Sequence, residues 1–197
     1  PDLAEQEFAE YHLYTMSRPA TLRSQESQTL TMLEPRDIKT VPRYLYRGGD
    51  ARGVRTQLQI ENATASGLGV PLPAGRVRFY EGDASGNLQF TGEARINHTA
   101  EGEKLTLDVG AAFDLVAERR DTYNKRISDR EREYGVEIKL RNRKKAEVEI
   151  VVEESVSGDI DIIQKTHDYT RKDASTLQFK IAVPAGTIVF RQGDEGE

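Results

Sequence analysis

The chain has 197 residues, of which 28 are Lys or Arg, 33 are Asp or Glu and none is Cys; this length suits one large domain or two small ones. The lack of cysteine excludes disulfide scaffolds, thiolate-held zinc, iron–sulfur clusters and thiol nucleophiles, and no apolar run approaches the roughly 20 residues of a membrane-spanning helix. A net charge of −5 argues against a general affinity for nucleic acid, because phosphate contacts draw on an excess of Lys and Arg.

In chain order, Pro1 reads as the first residue of an excised fragment, without an initiator Met, a basic start or an apolar segment of signal length. Leu3, Ala4 and Phe8, interleaved with acids, fit a short, frayed helical turn within Pro1–Ala9. From there on the pattern is one of strands. Apolar residues alternate as Val54, Leu58 and Ile60, then Val77 and Phe79, then Leu105, Leu107 and Val109. The alternation returns as Tyr134, Val136, Ile138 and Leu140, then Val148, Ile150 and Val152, then Leu177, Phe179, Ile181 and Val183, and finally Ile188 and Phe190. Period two gives each strand one dry and one wet face. Turn formers separate the strands at Arg47-Gly48-Gly49-Asp50, Asp83-Ala-Ser-Gly-Asn87, Ser157-Gly158-Asp159 and Pro184-Ala-Gly186. The predicted fold is an all-β antiparallel sandwich, read either as a single unit or as two interleaved immunoglobulin-like modules.

Ala117–Glu133 breaks the alternation with a crowd of charges; a helix there would have only the thin stripe of Tyr123 and Ile127, so the stretch fits better an extended, charged hairpin arm or connector. It divides the chain into an N-terminal extension (1–10), a first sandwich part (11–120), the arm (121–133), a second part (134–190) that shares strands with the first, and a disordered tail (191–197). A weak echo links the parts: Val54–Asn62 and Gly135–Asn142 are both alternating strands that end in Asn.

The search for chemistry is mostly negative. Nucleophile elbows, phosphate-binding glycine loops, zinc-protease helices and dinucleotide fingerprints are all missing from the sequence. His12, His98 and His167 are too scattered to make a short-spaced ligand pair. Asp83, Ser85 and Asn87 alternate as calcium ligands do, but without the closing acid they read as a hairpin turn. Asp159 and Asp161 read as solvated carboxylates on one strand face. The basic run Lys139–Lys145, flanked by Glu131, Glu133, Glu137, Glu147 and Glu149, reads as cross-strand ion pairs about a hairpin turn. Tyr11 with Tyr14, and Tyr44 with Tyr46, are the candidates for a sugar-stacking platform, against buried core tyrosines. Neither a cofactor nor a metal is expected.

The segment Asn62-Ala-Thr-Ala-Ser-Gly67-Leu68-Gly69-Val-Pro71-Leu72-Pro73-Ala-Gly75-Arg-Val-Arg-Phe-Tyr80 resembles the C-terminal domain, of unknown function, of bacterial mucoidy inhibitor A-like proteins. Phe90-Thr-Gly92-Glu93, Gly110-Ala-Ala-Phe113-Asp114-Leu115, Leu140-Arg-Asn142 and Val183-Pro-Ala-Gly186 extend the resemblance over most of Tyr11 to Phe190. It implies an exported, envelope-associated β-sandwich protein and carries over no catalytic residue. From the residues themselves, Gly67, Gly69, Pro71, Pro73 and a turn at Gly75 form a rigid lead-in that pins the Val77–Tyr80 strand. Two function classes follow. One is a non-catalytic envelope module that binds a protein partner or a surface polymer, away from nucleic acid. The other is a carboxylate-dependent glycan hydrolase, with Glu93 and Asp114 as nominal acids.

Overall fold

The computed structural model describes residues 4–8, 11–15, 19–28, 37–129, 131–158 and 160–192. The chain is all-β. Strands β1 (Ala4–Phe8) and β2 (Tyr11–Thr15) form a hairpin of their own. They are followed by β3 (Val41–Arg47), β4 (Arg55–Glu61), β5 (Gly75–Gly82), β6 (Leu88–Ile96) and β7 (Lys104–Ala111). The long pair β8 (Leu115–Arg126) and β9 (Arg132–Asn142) comes next. Strands β10 (Val148–Ser155), β11 (Tyr169–Asp173), β12 (Thr176–Val183) and β13 (Gly186–Gln192) complete the chain. Among the described residues no helix is long and apolar enough to cross a membrane.

Six strands make one large sheet in the order β11-β12-β10-β3-β4-β7. Its register lines one face with apolar residues: Ile150 pairs with Tyr44 and Ile181, Val152 with Tyr46 and Phe179, Leu58 with Leu107, and Ile60 with Leu105. Two smaller sheets cover that face. The three-stranded sheet β13-β9-β8 lays Val136, Ile138 and Leu140 over Ile150, Val152, Phe179 and Ile181. The β5-β6 hairpin lays Val77, Phe79, Ala94 and Ile96 over Ile60, Leu105 and Leu107. Ile138, Leu140, Ile150, Val152, Phe179 and Ile181 are wholly excluded from solvent, and each such side chain contributes about 1.5–3 kcal/mol relative to exposure.

Several expectations are corrected. The large sheet is mixed rather than antiparallel, because β3 and β10 run parallel from Tyr44↔Ile150 to Arg47↔Glu153. A parallel pair needs a long crossover, and here everything between β3 and β10 serves as one. Ala4–Phe8 is a strand, not a helical turn: pairing with Tyr11–Thr15 satisfies its backbone groups, which one isolated turn cannot do. The strand also ties residues 4–8 to the segment beyond the boundary drawn at 10, while Leu3 and Ala9 lie outside the described residues. Arg191 and Gln192 belong to β13, so the last strand runs past the boundary drawn at 191; 193–197 are outside the described residues. The charged stretch is a hairpin arm, since β8 and β9 pair throughout from Leu115↔Asn142 to Arg126↔Arg132, with a bulge between Asp121 and Tyr123. It joins two strands of one sheet.

On the outer face of the large sheet Leu45 pairs with Val151, both buried, and beside them a polar cluster is organised around Glu153. Lys172 Nζ donates to its Oε1 at 2.7 Å and Gln178 Nε2 at 3.1 Å, while Arg47 lies at 3.5 Å and Arg43 at 3.8 Å. Burial pushes this carboxyl up, yet Lys172, Gln178 and Arg47 outweigh it and hold the group below its ordinary value. If the dry face is the stabilising element, Phe179→Ala costs about 3–5 kcal/mol in urea denaturation and Val77→Ala, at the half-buried hairpin, clearly less; equal losses contradict this assignment of the core.

Candidate functional site

The segment from Asn62 to Tyr80 is built around Asn62, which directly follows β4 and is fully buried. Its Nδ2 donates to the carbonyls of Val70 and Ala100, both at 2.8 Å, and its Oδ1 accepts the Gly69 N–H at 3.1 Å. One side chain thus ties the start of the loop to its end and to the β6–β7 connection. The chain makes a 3-10 turn at Thr64–Ser66 and then reverses at Gly67 and Gly69, with φ of 91° and 88°. A Cβ would stand 2.8 Å from the Asp37 carbonyl at Gly67, and 2.4 Å from Thr64 Oγ1 at Gly69. Glycine is therefore required at both positions by conformation and by space. Leu68 and Val70 pack on the second core, and Pro71 accepts the Tyr14 hydroxyl at 3.1 Å. Leu72 is buried and exchanges two 2.8 Å hydrogen bonds with Thr99.

Gly75 differs from its neighbours. It is no turn residue but the first residue of β5, with no positive φ, and an added Cβ would meet nothing closer than the Pro73 carbonyl at 3.8 Å. The change of direction comes earlier, at the bend beside Ala74, after Pro73. Tyr80 leaves the loop altogether and stands on the outer face of the hairpin.

Asn142 repeats the device at the end of β9. It is buried, its Nδ2 donates to the carbonyls of Ala146 at 2.8 Å and Val183 at 2.9 Å, and its Oδ1 accepts the Lys144 N–H at 2.9 Å. Both strand-ending asparagines of the sequence echo thus clamp the loop that follows them.

The remaining sequence candidates do not converge. His98 Nδ1 accepts the Ala74 N–H at 3.3 Å, His167 lies beside Thr166 at 3.1 Å, and the side chain of His12 lies outside the described residues. Among the described residues no group of three acids or histidines is placed to hold a metal ion. Asp83 closes the β5–β6 turn, its Oδ1 accepting the N–H groups of Ser85 and Asn87 at 2.9 Å each. Asp159 is outside the described residues, and 160–164 form no strand, so Asp161 is exposed in irregular chain rather than on a strand face.

The basic run does not sit at a hairpin turn. Asn142 to Val148 crosses from the small sheet to the large one, and cross-strand pairs bind Arg141 to Glu118 and Glu137 to Arg120 across β8 and β9 instead. Of the paired tyrosines, Tyr46 is buried and Tyr44 is half-buried with Lys144 Nζ 5.3 Å over its ring, which removes that pair as a stacking platform. Tyr14 is tied to Pro71, and the side chain of Tyr11 lies outside the described residues. Glu93 sits on β6 near Arg76 and Arg78, whereas Asp114 is exposed in the β7–β8 connection; the fold does not pair them.

Two features escape sequence reading. The first is Glu154, next to Glu153 but on the dry face. Its side chain is 4% exposed, and its Oε1 accepts Arg119 Nε at 2.8 Å and Nη2 at 2.7 Å. Its Oε2 has no hydrogen-bond partner and presses on Gly48, where a Cβ would lie 1.7 Å away. Arg119 also holds Asp121 at 2.7 Å. Burial pushes the Glu154 carboxyl up against the pull of Arg119, and burial likewise raises the neighbouring Tyr46 and Tyr134 hydroxyls. This pair links β10 of the large sheet to β8 of the small one. The sequence signal was the glycine pair Gly48-Gly49, read only as a turn.

The second feature is the outer face of β5-β6. Tyr80 and Phe90 meet edge to face, with centroids 5.8 Å apart and planes at 65°, and Leu88, Phe90 and Tyr80 are 60%, 58% and 45% exposed. Plain alternation along β6 would turn Phe90 inward with Gly92 and Ala94. A bulge intervenes: Phe79 pairs with Gly92 but Tyr80 with Phe90, so Thr91 is the extra residue and Phe90 swings to the outer face. Arg76, Arg78, Glu93 and Arg95 share that face by register.

Two outcomes test this geometry. Gly69→Ala lowers the melting temperature by several degrees, whereas Gly75→Ala leaves it nearly unchanged, in thermal unfolding followed by circular dichroism; equal effects contradict the loop geometry. For Glu154, a folded value above the unfolded one means that the folded chain binds more protons between the two. Its contribution to stability is full below the ordinary carboxylate range and is lost as pH rises through the folded value. Glu154→Gln keeps an acceptor for Arg119 and flattens this decline in urea denaturation across a pH series; an unchanged slope excludes Glu154 as its source.

Compared with models of protein families, with curated proteins and with solved structures, the chain matches none.

Proposed function

We propose that the chain is a non-catalytic interaction or structural module of the bacterial cell envelope, meeting a protein partner or a surface polymer through the outer face of the β5-β6 hairpin. The envelope setting rests on the likeness of Asn62–Tyr80 to mucoidy inhibitor A-like proteins. The observation that carries the contact role is the exposed cluster Tyr80, Leu88 and Phe90. Three large apolar side chains gathered in water on one hairpin, with Arg78, Arg76 and Arg95 further along the same face on one side, have the composition of a contact surface, in which aromatic residues and arginine are enriched. A bulge in β6 turns Phe90 outward, and the hairpin's inner face already supplies the core contacts of Val77 and Phe79.

The hydrolase reading finds less support. A carboxylate pair has to face across a cleft, and Glu93 and Asp114 stand on separate parts of the fold. A trough of about 520 Å3, where β3 and β10 part ahead of Tyr44 and Ile150, is lined by Glu147 and Glu149 among others. These two acids are near neighbours along one stretch of chain rather than opposed across the trough.

Replacing Tyr80, Leu88 and Phe90 together by Ser leaves the melting temperature of the chain unchanged and abolishes its co-sedimentation with isolated bacterial envelopes. Undiminished co-sedimentation of the folded triple variant overturns the assignment of this face.

A further inference from the structure

The β5 edge adds a second observation to the exposed face beside it. Among the described residues β5 is hydrogen-bonded to β6 alone. Its other edge, from Gly75 to Gly82, directs alternate backbone N–H and C=O groups outward. Neither a proline nor a bulge interrupts β5, the bulge of this hairpin being on β6. An undistorted edge without a partner among the described residues is a template for another strand; native sheets blunt such edges with charge or distortion, and β5 carries charge, in Arg76, Arg78 and Glu81, but no distortion.

The side chains on this edge specify what it will accept. On the outer face Arg76 and Arg78 are 56% and 53% exposed and share the single carboxylate of Glu93, at 3.7 and 3.8 Å, too far for a direct hydrogen bond. With Arg95 across the hairpin, three guanidinium groups face one carboxylate, a local surplus of two positive charges on a chain whose net charge is −5. A second copy of this chain is a poor occupant, because antiparallel pairing of β5 with itself sets the two arginine stretches near each other. An acidic strand meets no such repulsion. Opposite-charge pairs across neighbouring strands are favourable, and like charges are not. Beyond the arginines, Tyr80 offers an aromatic partner on the outer face, while Val77 and Phe79 present half-buried apolar side chains on the inner one.

We infer that the β5 edge receives an extended segment of a partner protein by strand addition, and that this segment alternates acidic with apolar residues. Acids fall beside Arg76 and Arg78, and apolar side chains fall beside Val77 and Phe79. Backbone hydrogen bonds supply the affinity and the alternating side chains fix the register. The inference rests on the reading of the chain as an interaction module and narrows its partner to a protein.

The test titrates the isotopically labelled chain with a synthetic peptide of alternating Glu and Val. The controls are its Lys–Val counterpart and a Glu–Val peptide N-methylated along its hydrogen-bonding edge. The Glu–Val peptide shifts the amide resonances of Gly75–Gly82, its affinity weakens with added salt, and both controls leave these resonances in place. The double variant R76E/R78E, at exposed positions, keeps the melting temperature and lowers the affinity by about tenfold or more. Arg78→Gln gives a smaller loss should the double reversal disturb the hairpin. Silence at β5, equal shifts with the Lys–Val peptide, or shifts that survive N-methylation each overturn strand addition. Because the envelope co-sedimentation of the Tyr80, Leu88 and Phe90 variant is read separately, strand addition can fail while the interaction reading stands, and the reverse.

Discussion

The parallel junction of β3 with β10 is the constraint on which the rest of the structure depends. Ile150 and Val152 lie between Tyr44 and Tyr46 on one side and Ile181 and Phe179 on the other, so one continuous dry face spans strands drawn from both ends of the chain. Remove that junction and the large sheet falls into two three-stranded pieces, β11-β12-β10 and β3-β4-β7, each with half a core. The two covering sheets follow from it. A six-stranded apolar face is too wide for the three-stranded sheet alone, and the β5-β6 hairpin covers the remainder above β4 and β7.

Polar groups buried in this architecture mark where its pieces are fastened. Asn62 and Asn142 each occupy the end of a strand and satisfy carbonyl and N–H groups of the following loop. A short amide carries both donors and an acceptor, so one residue type can close a loop that the backbone alone would leave unsatisfied. Glu154 and Arg119 fasten sheet to sheet in another way, through a charge pair with one oxygen left without a partner. Such a pair is expensive to desolvate and weak evidence for stability, but removing one partner alone leaves a buried charge.

Function, as proposed, lies on what the core does not use. The loop that follows β4 turns Leu68, Val70 and Leu72 inward and spends its glycines on tight geometry, so its residues are explained by folding. Tyr80, at the end of the same segment, packs only on Phe90 among the described aromatic pairs and is 45% exposed. Its outer face, the bulge that brings Phe90 to it and the β5 edge, which pairs with no further strand among the described residues, coincide on one hairpin, which joins the body mainly through its inner face. The hairpin can thus carry a contact surface without disturbing the central sheet.

The sequence by itself determined where β4, β5, β7, β9, β10, β12 and β13 run and where several of the turns between strands fall. Alternation at Tyr134–Leu140 or Leu177–Val183 is a local signal, because side chains of a strand point to opposite faces in turn wherever the strand ends up. The charged arm broke that alternation and was read as an extended hairpin or connector from its crowd of charges instead, and the strand-ending asparagines were visible as an echo without their role. Only the tertiary structure decided that β3 and β10 run parallel, that Ala4–Phe8 pairs as a strand, that Gly75 needs no special conformation, and that Glu154 is buried while its neighbour Glu153 faces a ring of cations. It also decided that Phe90 is exposed, since a single inserted residue reverses the face of every residue beyond it. Pairing partners, register shifts and burial of individual acids are fixed by contacts between segments far apart in the chain, and such contacts leave no periodic trace in either segment alone.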